Sequence, residues 1–210
     1  MKQTISIQKS AFSPSYDNKI FKKFSLRTLE SKNVNKLAFQ QELGWVGEKN
    51  IPVVCIPGGM SDEQGGVEFQ EVIDGILSLN CQIIVRGIGS EEYGALFTEL
   101  EKQFPERVKI IPDEDAMRRK MYAACDMALF FSEDAEELQN CLAYGTVPVS
   151  PAQSVLNDYN PVEEAGNSFI ADPHTSWSWY AALVRGCETF KLPYDFRTIQ
   201  KQAMQSVKEE

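Results

Sequence analysis

Histidine is almost missing from this sequence, and cysteine is sparse and scattered. His174 is the single histidine among 210 residues, which argues against a histidine-based catalytic triad and against a multi-histidine metal site. The five cysteines form no C-x-x-C pair, so the sequence predicts neither a zinc site nor a disulfide framework. Dispersed cysteines inside apolar stretches are typical of reduced thiols, and we expect a cytoplasmic protein without a metal.

Positive charge and long apolar runs are also scarce. The 21 lysines and arginines face 30 aspartates and glutamates, a net charge of −9, which argues against a general nucleic-acid binder because such a protein needs a basic surface. This balance still allows a local basic pocket for a phosphorylated small molecule. No run approaches the roughly 18 apolar residues of a membrane span, and residues 1–12 have no signal-peptide core. We therefore expect neither a membrane nor nucleic acid as a partner.

What the sequence does have is a regular alternation of short apolar runs and amphipathic segments. Buried-strand patterns occur at 4–7, 51–56, 81–85, 107–111, 127–131, 147–149 and 168–171. Helical spacing occurs at 33–43, 67–79, 91–104, 114–124, 136–144, 176–190 and 196–207. This alternation predicts an α/β fold, a Rossmann-like doubly wound parallel sheet in a single domain. We divide the chain into a lead-in segment 1–32, a Rossmann-like domain 33–195 and a helical tail 196–210.

The turns that follow the first two internal strands contain the candidate binding residues. Ligands of doubly wound sheets bind at the carboxyl ends of the strands. Glycines there let backbone amides approach an anion, and an arginine can hold a diphosphate through two hydrogen bonds. The predicted nucleotide-binding residues are therefore Gly58, Gly59, Arg86, Gly87 and Gly89. The same glycines also have a purely structural interpretation as tight turns, and no residue is assigned a catalytic role.

Three further patterns have a simple structural explanation. Residues 113–115 imitate a D-x-D metal motif, but Asp113 fits better as the N-cap of a helix. The basic run 118–120 predicts a solvated helix face. Of Trp177 and Trp179, one is expected in the core, while an exposed one could stack on a sugar. His174 is expected in a surface loop.

Four stretches carry a resemblance to a known family. Asn35 to Gly44 matches N-K-x-x-L-Q-x-E-L-G-L, residues 144–148 match Y-G-T-x-P, and residues 202–204 match Q-A-M. The lead-in 12–17 is similar to W-N-P-x-x-D. From Ala11 to Met204 the chain resembles the C-terminal domain of bacterial glycogen (starch) synthases, which are retaining glycosyltransferases of the two-domain GT-B fold. The resemblance implies a domain that binds a nucleotide sugar. The N-terminal domain, which carries the acceptor side and the catalytic His in that family, has no counterpart in these 210 residues.

The sequence departs from the family in the loops that carry the chemistry. The family neutralises the leaving diphosphate with an Arg and a Lys in S-R-L-x-x-Q-K-G, and these positions fall on Gly59 and Gln64. Asp62 and Glu63 stand between them and would repel a diphosphate. The family's Glu-containing loop is shortened at 131–138. The other departures are Asn140 near the second Glu position, loss of both phosphate-loop glycines at 154–158, and Pro112 in place of an adenine-stacking Tyr.

Losses in four separate loops predict a pseudoenzyme that acts by binding a partner chain, a nucleotide or a glycan. The alternative is the C-terminal half of an active glucosyltransferase that uses ADP-glucose or UDP-glucose to extend an α-1,4-glucan, with Arg86 replacing the missing Arg. A weaker third interpretation is an unrelated nucleotide-binding Rossmann domain such as a dehydrogenase. The expected ligands are a nucleotide sugar or an α-glucan, with no other cofactor. Self-association, or a separate chain that supplies the N-terminal domain, is the expected protein contact.

Overall fold

A computed structural model describes residues 5–7 and 12–209, with side chains from 12 to 207. Residues 1–4 and 8–11 of the predicted lead-in lie outside the described residues, and so does Glu210 of the tail. They include Thr4 of the predicted strand and Ala11, where the resemblance begins. The strands are β1 (Ile5–Ile7), β2 (Val53–Ile56), β3 (Gln82–Arg86), β4 (Val108–Ile111), β5 (Met127–Leu129), β6 (Val147–Ser150), β7 (Phe169–Ile170) and β8 (Val207–Glu209). The helices are α1 (Lys32–Glu42), α2 (Gly66–Ser78), α3 (Glu91–Gln103), α4 (Asp115–Ala124), α5 (Ala135–Ala143), α6 (Ser176–Phe190) and α7 (Pro193–Gln205).

Six of the strands form one parallel sheet in the order β4-β3-β2-β5-β6-β7. Val54 is paired with Ile83 of β3 on one side and with Met127 of β5 on the other. The chain winds outward in both directions from this point, as in a doubly wound Rossmann sheet, and the predicted fold class is confirmed. The strand order therefore reverses between β2 and β5, and the carboxyl ends of these two strands flank the crevice where such sheets bind ligands.

The sheet is buried on both faces, which explains its continuous apolar runs. Alternate residues of β2 enter two different cores. Val54 and Ile56 pack with α2, α3 and α6, whereas Val53 and Cys55 pack with α1, α4 and α5. Each helix packs its apolar side against one face of the sheet. The apolar residues repeat every 3.6 positions in the sequence because they all lie on that buried side.

The Asn35–Gly44 motif that carries the family resemblance has a structural role. Lys36 Nζ forms a buried ion pair with Asp126 Oδ2 at 2.7 Å, and the same carboxylate accepts the backbone N–H of Val53 at 2.8 Å. The side chain of Asn35 is buried and bonds both backbone groups of Lys22. These contacts join α1 to the lead-in segment and to the amino ends of β2 and β5.

The described parts of the lead-in and of the C-terminal tail pack against the main domain. Phe24 of the lead-in lies edge-on to Tyr144, with the ring centroids 6.3 Å apart. Helix α7 packs on α5 and α6. It ends at Gln205 rather than at 207, because the chain then extends as β8 and pairs in parallel with β1. The sequence predicted the first strand but gave no sign of this two-stranded sheet.

Candidate functional site

The structure places the predicted binding residues at one edge of the sheet. Gly58 and Gly59 follow β2, while Arg86 ends β3 and Gly87 and Gly89 follow it. The two turns touch through the backbone, because Met60 N donates to Ile88 O at 3.2 Å and Ser90 N donates to Met60 O at 3.0 Å. The five residues therefore lie together beside the topological switch point, as the crevice rule requires.

Two of these glycines are needed for the contact between the turns. Gly59 has φ 69° and Gly89 has φ 118°, both in the region that favours glycine. A Cβ at Gly59 would lie 2.2 Å from Ile88 O, and one at Gly89 would lie 1.9 Å from Met60 O. The family's Arg therefore cannot be placed at Gly59 without separating the two turns.

Arg86 places a positive charge at this edge of the sheet, and its guanidinium is already paired with carboxylates. Its Nε donates to Asp113 Oδ1 at 2.7 Å, its Nη1 donates to Glu137 Oε1 at 2.6 Å and to Pro57 O at 3.2 Å, and only 9% of the residue is exposed. Burial acts to lower the pKa of Arg86, but the hydrogen bond to Asp113 and the charge of Glu137 outweigh it and raise the pKa. The guanidinium is thus charged, and its Nε and Nη1 are bonded to oxygens of the protein.

Glu137 is the buried centre of this network. It accepts hydrogen bonds from Tyr122 Oη and Arg86, and Arg118 Nη1 lies 3.6 Å from the carboxylate. Burial raises the pKa of Glu137, although the bond from Tyr122 and the charge of Arg86 act in the opposite direction. The Asp134 carboxylate caps α5 by accepting the backbone N–H of Glu137 at 3.1 Å. This bond fixes the backbone of the helix turn from which the Glu137 side chain extends.

The structure corrects two predictions around this network. Asp113 is not the N-cap of α4: Glu114 holds that position, and Asp113 binds Arg86 instead. The run 118–120 is not a solvated face, because its three side chains are at most 21% exposed and are paired with carboxylates of α4 itself and of other elements. Their partners are Glu137 and Asp115 for Arg118, Asp115 and Asp17 for Arg119, and Glu42 for Lys120.

A cavity of about 340 Å³ opens at the carboxyl end of this edge, and we call it the acidic crevice. Its lining residues are Asp62, Glu63, Gly65, Glu68, Phe131, Ser132, Glu133, Pro151 and His174, with no lysine or arginine among them. Tyr93 Oη donates to Asp62 Oδ1 at 2.6 Å, a bond that raises the pKa of Tyr93 to about 12. A diphosphate entering this space would meet negative charge on several sides.

The sequence only partly indicated the roles of Asn140 and of the two tryptophans of α6. Asn140, one turn after Glu137 on α5, has the one buried side-chain nitrogen without a hydrogen-bond partner in the described part of the chain. Trp179 is buried, and its Nε1 donates to Phe130 O at 2.7 Å, whereas Trp177 is 69% exposed and lies edge-on to Tyr180. His174 lies in an exposed loop against the Trp179 ring, as expected.

Metal and membrane features are not found in the described residues. No group of three or more histidines, cysteines, aspartates and glutamates is arranged there to hold a metal ion. None of the helices is long and apolar enough to cross a membrane.

The fold is that of the C-terminal domain of GT-B glycosyltransferases. The structure superposes on the catalytic domain of starch synthase IV from Arabidopsis thaliana, bound to ADP and acarbose, with a TM-score of 0.82 and 21% identity over 94% of this chain and 43% of that one. It also superposes on the C-terminal domain of the group 1 glycosyl transferase LpcC from Francisella tularensis, with a TM-score of 0.61 and 14% identity over 95% of both chains.

Sequence comparison narrows this class further. The chain is 29% identical over 205 residues to the glycogen synthase of Fervidobacterium nodosum, covering 92% of this chain and 41% of the relative. It is 28% identical over 209 residues to that of Cellvibrio japonicus, covering 94% and 43%. The chain thus spans about two fifths of the length of these relatives. No protein-family model matches it. It is a glycogen-synthase-like glycosyltransferase domain, and the predicted resemblance is confirmed.

Proposed function

We propose that this glycogen-synthase-like domain does not transfer glucose and acts by binding, with an uncharged glycan as the ligand of the acidic crevice. The capture of Arg86 by Asp113 and Glu137 is the observation that carries the proposal. Transfer from a nucleotide sugar creates a diphosphate leaving group, whose charge must be neutralised by positioned cations or a metal. Here the Arg86 guanidinium beside the switch point is matched by two carboxylates before any ligand arrives.

The lining of the acidic crevice favours a neutral ligand. Carboxylates such as those of Glu63 and Glu133 accept hydrogen bonds from sugar hydroxyls without charge repulsion. The Ser132 hydroxyl adds a donor and an acceptor. Trp177, the second residue of α6 and three residues after His174 of the crevice, exposes an aromatic face of the kind on which sugar rings stack.

The alternative function, an active glucosyltransferase half that uses ADP-glucose or UDP-glucose, makes a different demand on the same residues. Arg86 would have to leave Glu137 and Asp113 to meet a diphosphate. The names of the relatives favour this alternative, since they are glycogen synthases, and the Anabaena HepE neighbour was solved in complex with UDP and glucose. The buried pairing of Arg86 opposes it.

Calorimetric titration of the whole chain tests the two functions. The ligands are ADP, UDP, ADP-glucose, UDP-glucose and maltoheptaose. We expect heat from maltoheptaose and none from the four nucleotides, and we expect no incorporation of labelled glucose into glycogen. Nucleotide binding with a dissociation constant below about 100 μM would favour the active transferase. Failure of maltoheptaose to bind would exclude the glycan and leave a partner chain as the ligand.

Protein association is a separate part of the proposal. The carboxyl edge of the sheet is the face on which the two domains of a GT-B enzyme meet, so a second copy or a separate chain with an N-terminal domain is the expected partner. Sedimentation velocity at micromolar concentration tests self-association. A single monomeric boundary would exclude a homodimer and leave only the separate chain.

A further inference from the structure

A second cavity system lies on the opposite side of the sheet, at the amino ends of β2 and β5. It consists of two adjoining cavities of about 420 Å³ and about 230 Å³ that share Leu29 and Arg197, and we call it the basal groove. The larger cavity is lined by Leu26, Arg27, Leu29, Glu30, Arg197, Lys201 and Gln205. The larger cavity alone, and the two cavities together, have the volume of a small-molecule site.

Positive charge without a carboxylate partner is concentrated in this groove. Most lysines and arginines in the described part of the chain lie within 4 Å of an aspartate or glutamate. Eight have no such partner among the described residues, and five of these line the basal groove: Arg27, Lys32, Lys49, Arg197 and Lys201. The other three, Lys22, Lys23 and Arg107, lie outside it. The groove thus has an excess of positive charge, whereas the chain as a whole has a net charge of −9.

The fold itself brings these cations together. Arg197 and Lys201 are one turn apart on α7, so they share a helix face, where like charges repel each other. Arg27 comes from the 3-10 segment Leu26–Ser31, which packs against α7. Among the described residues that line the two cavities, the acidic ones are Glu30 and Asp126, and Asp126 is already paired with Lys36. An anion placed among the three cations would relieve their repulsion.

Lys32 forms the floor of the smaller cavity. It is 4% exposed, and its Nζ donates to Tyr122 O at 2.7 Å, Tyr144 O at 3.1 Å and Thr146 Oγ1 at 3.1 Å, all uncharged oxygens. These neutral oxygens leave the charge of the ammonium unpaired by a carboxylate, so it adds to the positive charge of the groove.

The rest of the smaller cavity can hold an uncharged polar group. Phe190 and Phe196 pack edge-on at 5.1 Å and form an apolar wall. Three amide side chains line the opening: Asn33, Asn50 and Gln200. Amides bond hydroxyl groups, and an apolar wall accommodates the face of a sugar ring.

We propose that the basal groove binds a phosphorylated small molecule of hexose-phosphate size, with its phosphate between Arg27, Arg197 and Lys201. The remainder of the molecule lies in the cavity above Lys32. This site is separate from the acidic crevice and does not depend on the function proposed for it. Guanidinium groups bind phosphate through paired hydrogen bonds, which supports the arginines as the main anchors.

Calorimetry on the whole chain at low salt provides the test. The probes are a hexose monophosphate, the same hexose without phosphate, and inorganic phosphate. We expect binding of the hexose monophosphate, weaker binding of inorganic phosphate and none of the free hexose. Arg197→Gln and Lys201→Gln should each weaken binding about tenfold or more. Lys102→Gln, which removes the same charge from an exposed pair on α3, should leave it unchanged.

Three results would overturn the proposal. One is absence of hexose monophosphate binding at millimolar concentration. Another is an unchanged affinity in a folded Arg197→Gln variant with the wild-type melting temperature. The third is equal binding of a short single-stranded oligonucleotide, which would mark a general polyanion surface. Glu137→Gln should not alter hexose phosphate binding, so a failed crevice proposal and a failed groove proposal remain distinguishable.

Discussion

Arg86 and Glu137 form a buried ion pair beside the switch point of the sheet, with Nη1 and Oε1 2.6 Å apart. Asp113 holds the other side of the same guanidinium at 2.7 Å. Sequence reasoning offered Arg86 as a substitute for the Arg that the family uses on the diphosphate. In the structure, the carboxylates of Asp113 and Glu137 pair with this guanidinium instead.

Releasing Arg86 should create affinity for a nucleotide diphosphate. In Asp113→Asn combined with Glu137→Gln, two negative charges disappear while amide groups still fill the space. We expect ADP to bind at least tenfold more tightly than to the wild type, measured by calorimetry. The variant should also lose about 1–3 kcal/mol of unfolding free energy in urea, because a buried pair is broken.

The matched control is Glu133→Gln, which removes a carboxylate of the acidic crevice without touching Arg86. It should change ADP affinity much less. A folded double variant that gains no ADP affinity would show that the pairing of Arg86 is not what keeps the diphosphate out.

The contact between the two glycine turns makes Gly59 intolerant of any side chain. Gly59→Ala places a Cβ 2.2 Å from Ile88 O at a φ of 69°. We expect a loss of about 2–4 kcal/mol, seen as a fall in melting temperature of about 5–12 °C. Gly94→Ala is the comparison, because its Cβ meets nothing within 4 Å on α3. It should gain up to about 1 kcal/mol, and equal behaviour of the two variants would contradict the turn geometry.

The buried Lys32 should make the unfolding free energy of the protein increase with pH in the alkaline range. Burial lowers the pKa of Lys32 from 10.5 to about 8, although the charge of Asp126 opposes the shift. Between these pH values the unfolded chain binds a proton that the folded chain does not, so unfolding becomes less favourable as pH rises. Relative to Lys32→Met, the wild-type unfolding free energy should increase by about 3 kcal/mol from pH 8 to 10.5.

Urea unfolding at pH 7.5 and pH 10 measures this difference. Comparison with Lys32→Met cancels the titration of the buried tyrosines, which both proteins share. Lys102→Met, which alters an exposed lysine, should track the wild type at both pH values. A constant gap between the wild type and Lys32→Met would contradict the assigned burial of a charged ammonium.

The two tryptophans of α6 should separate binding from stability. Trp177→Ala removes an exposed ring and should leave the melting temperature within about 2 °C of the wild type while weakening maltoheptaose binding tenfold or more. Trp179→Ala empties a buried site and breaks the bond to Phe130 O, and should cost about 3–5 kcal/mol. Unchanged maltoheptaose affinity in Trp177→Ala would remove the aromatic platform from the proposed function.

Element positions followed from the sequence because they depend on local periodicity. The apolar run at 51–56 became β2 (Val53–Ile56), and the spacing at 176–190 became α6 with the predicted bounds. The same local logic failed for Asp113 and for the run 118–120. A charged residue at a helix start or on a helix face looks solvated until its partner arrives from another element, such as Arg86 or Glu42.

The sequence by itself determined the doubly wound sheet and the family resemblance, because periodicity and motifs are local properties. Only the tertiary structure decided that Arg86 is captured by Glu137, that Gly59 packs against Ile88, and that five cations without a carboxylate partner share one groove. It also brought Cys81 and Cys187 into the same apolar core, which no cysteine spacing suggested. Charge pairing, close approach and cavity lining depend on distances between residues far apart in the chain, and folding alone sets those distances.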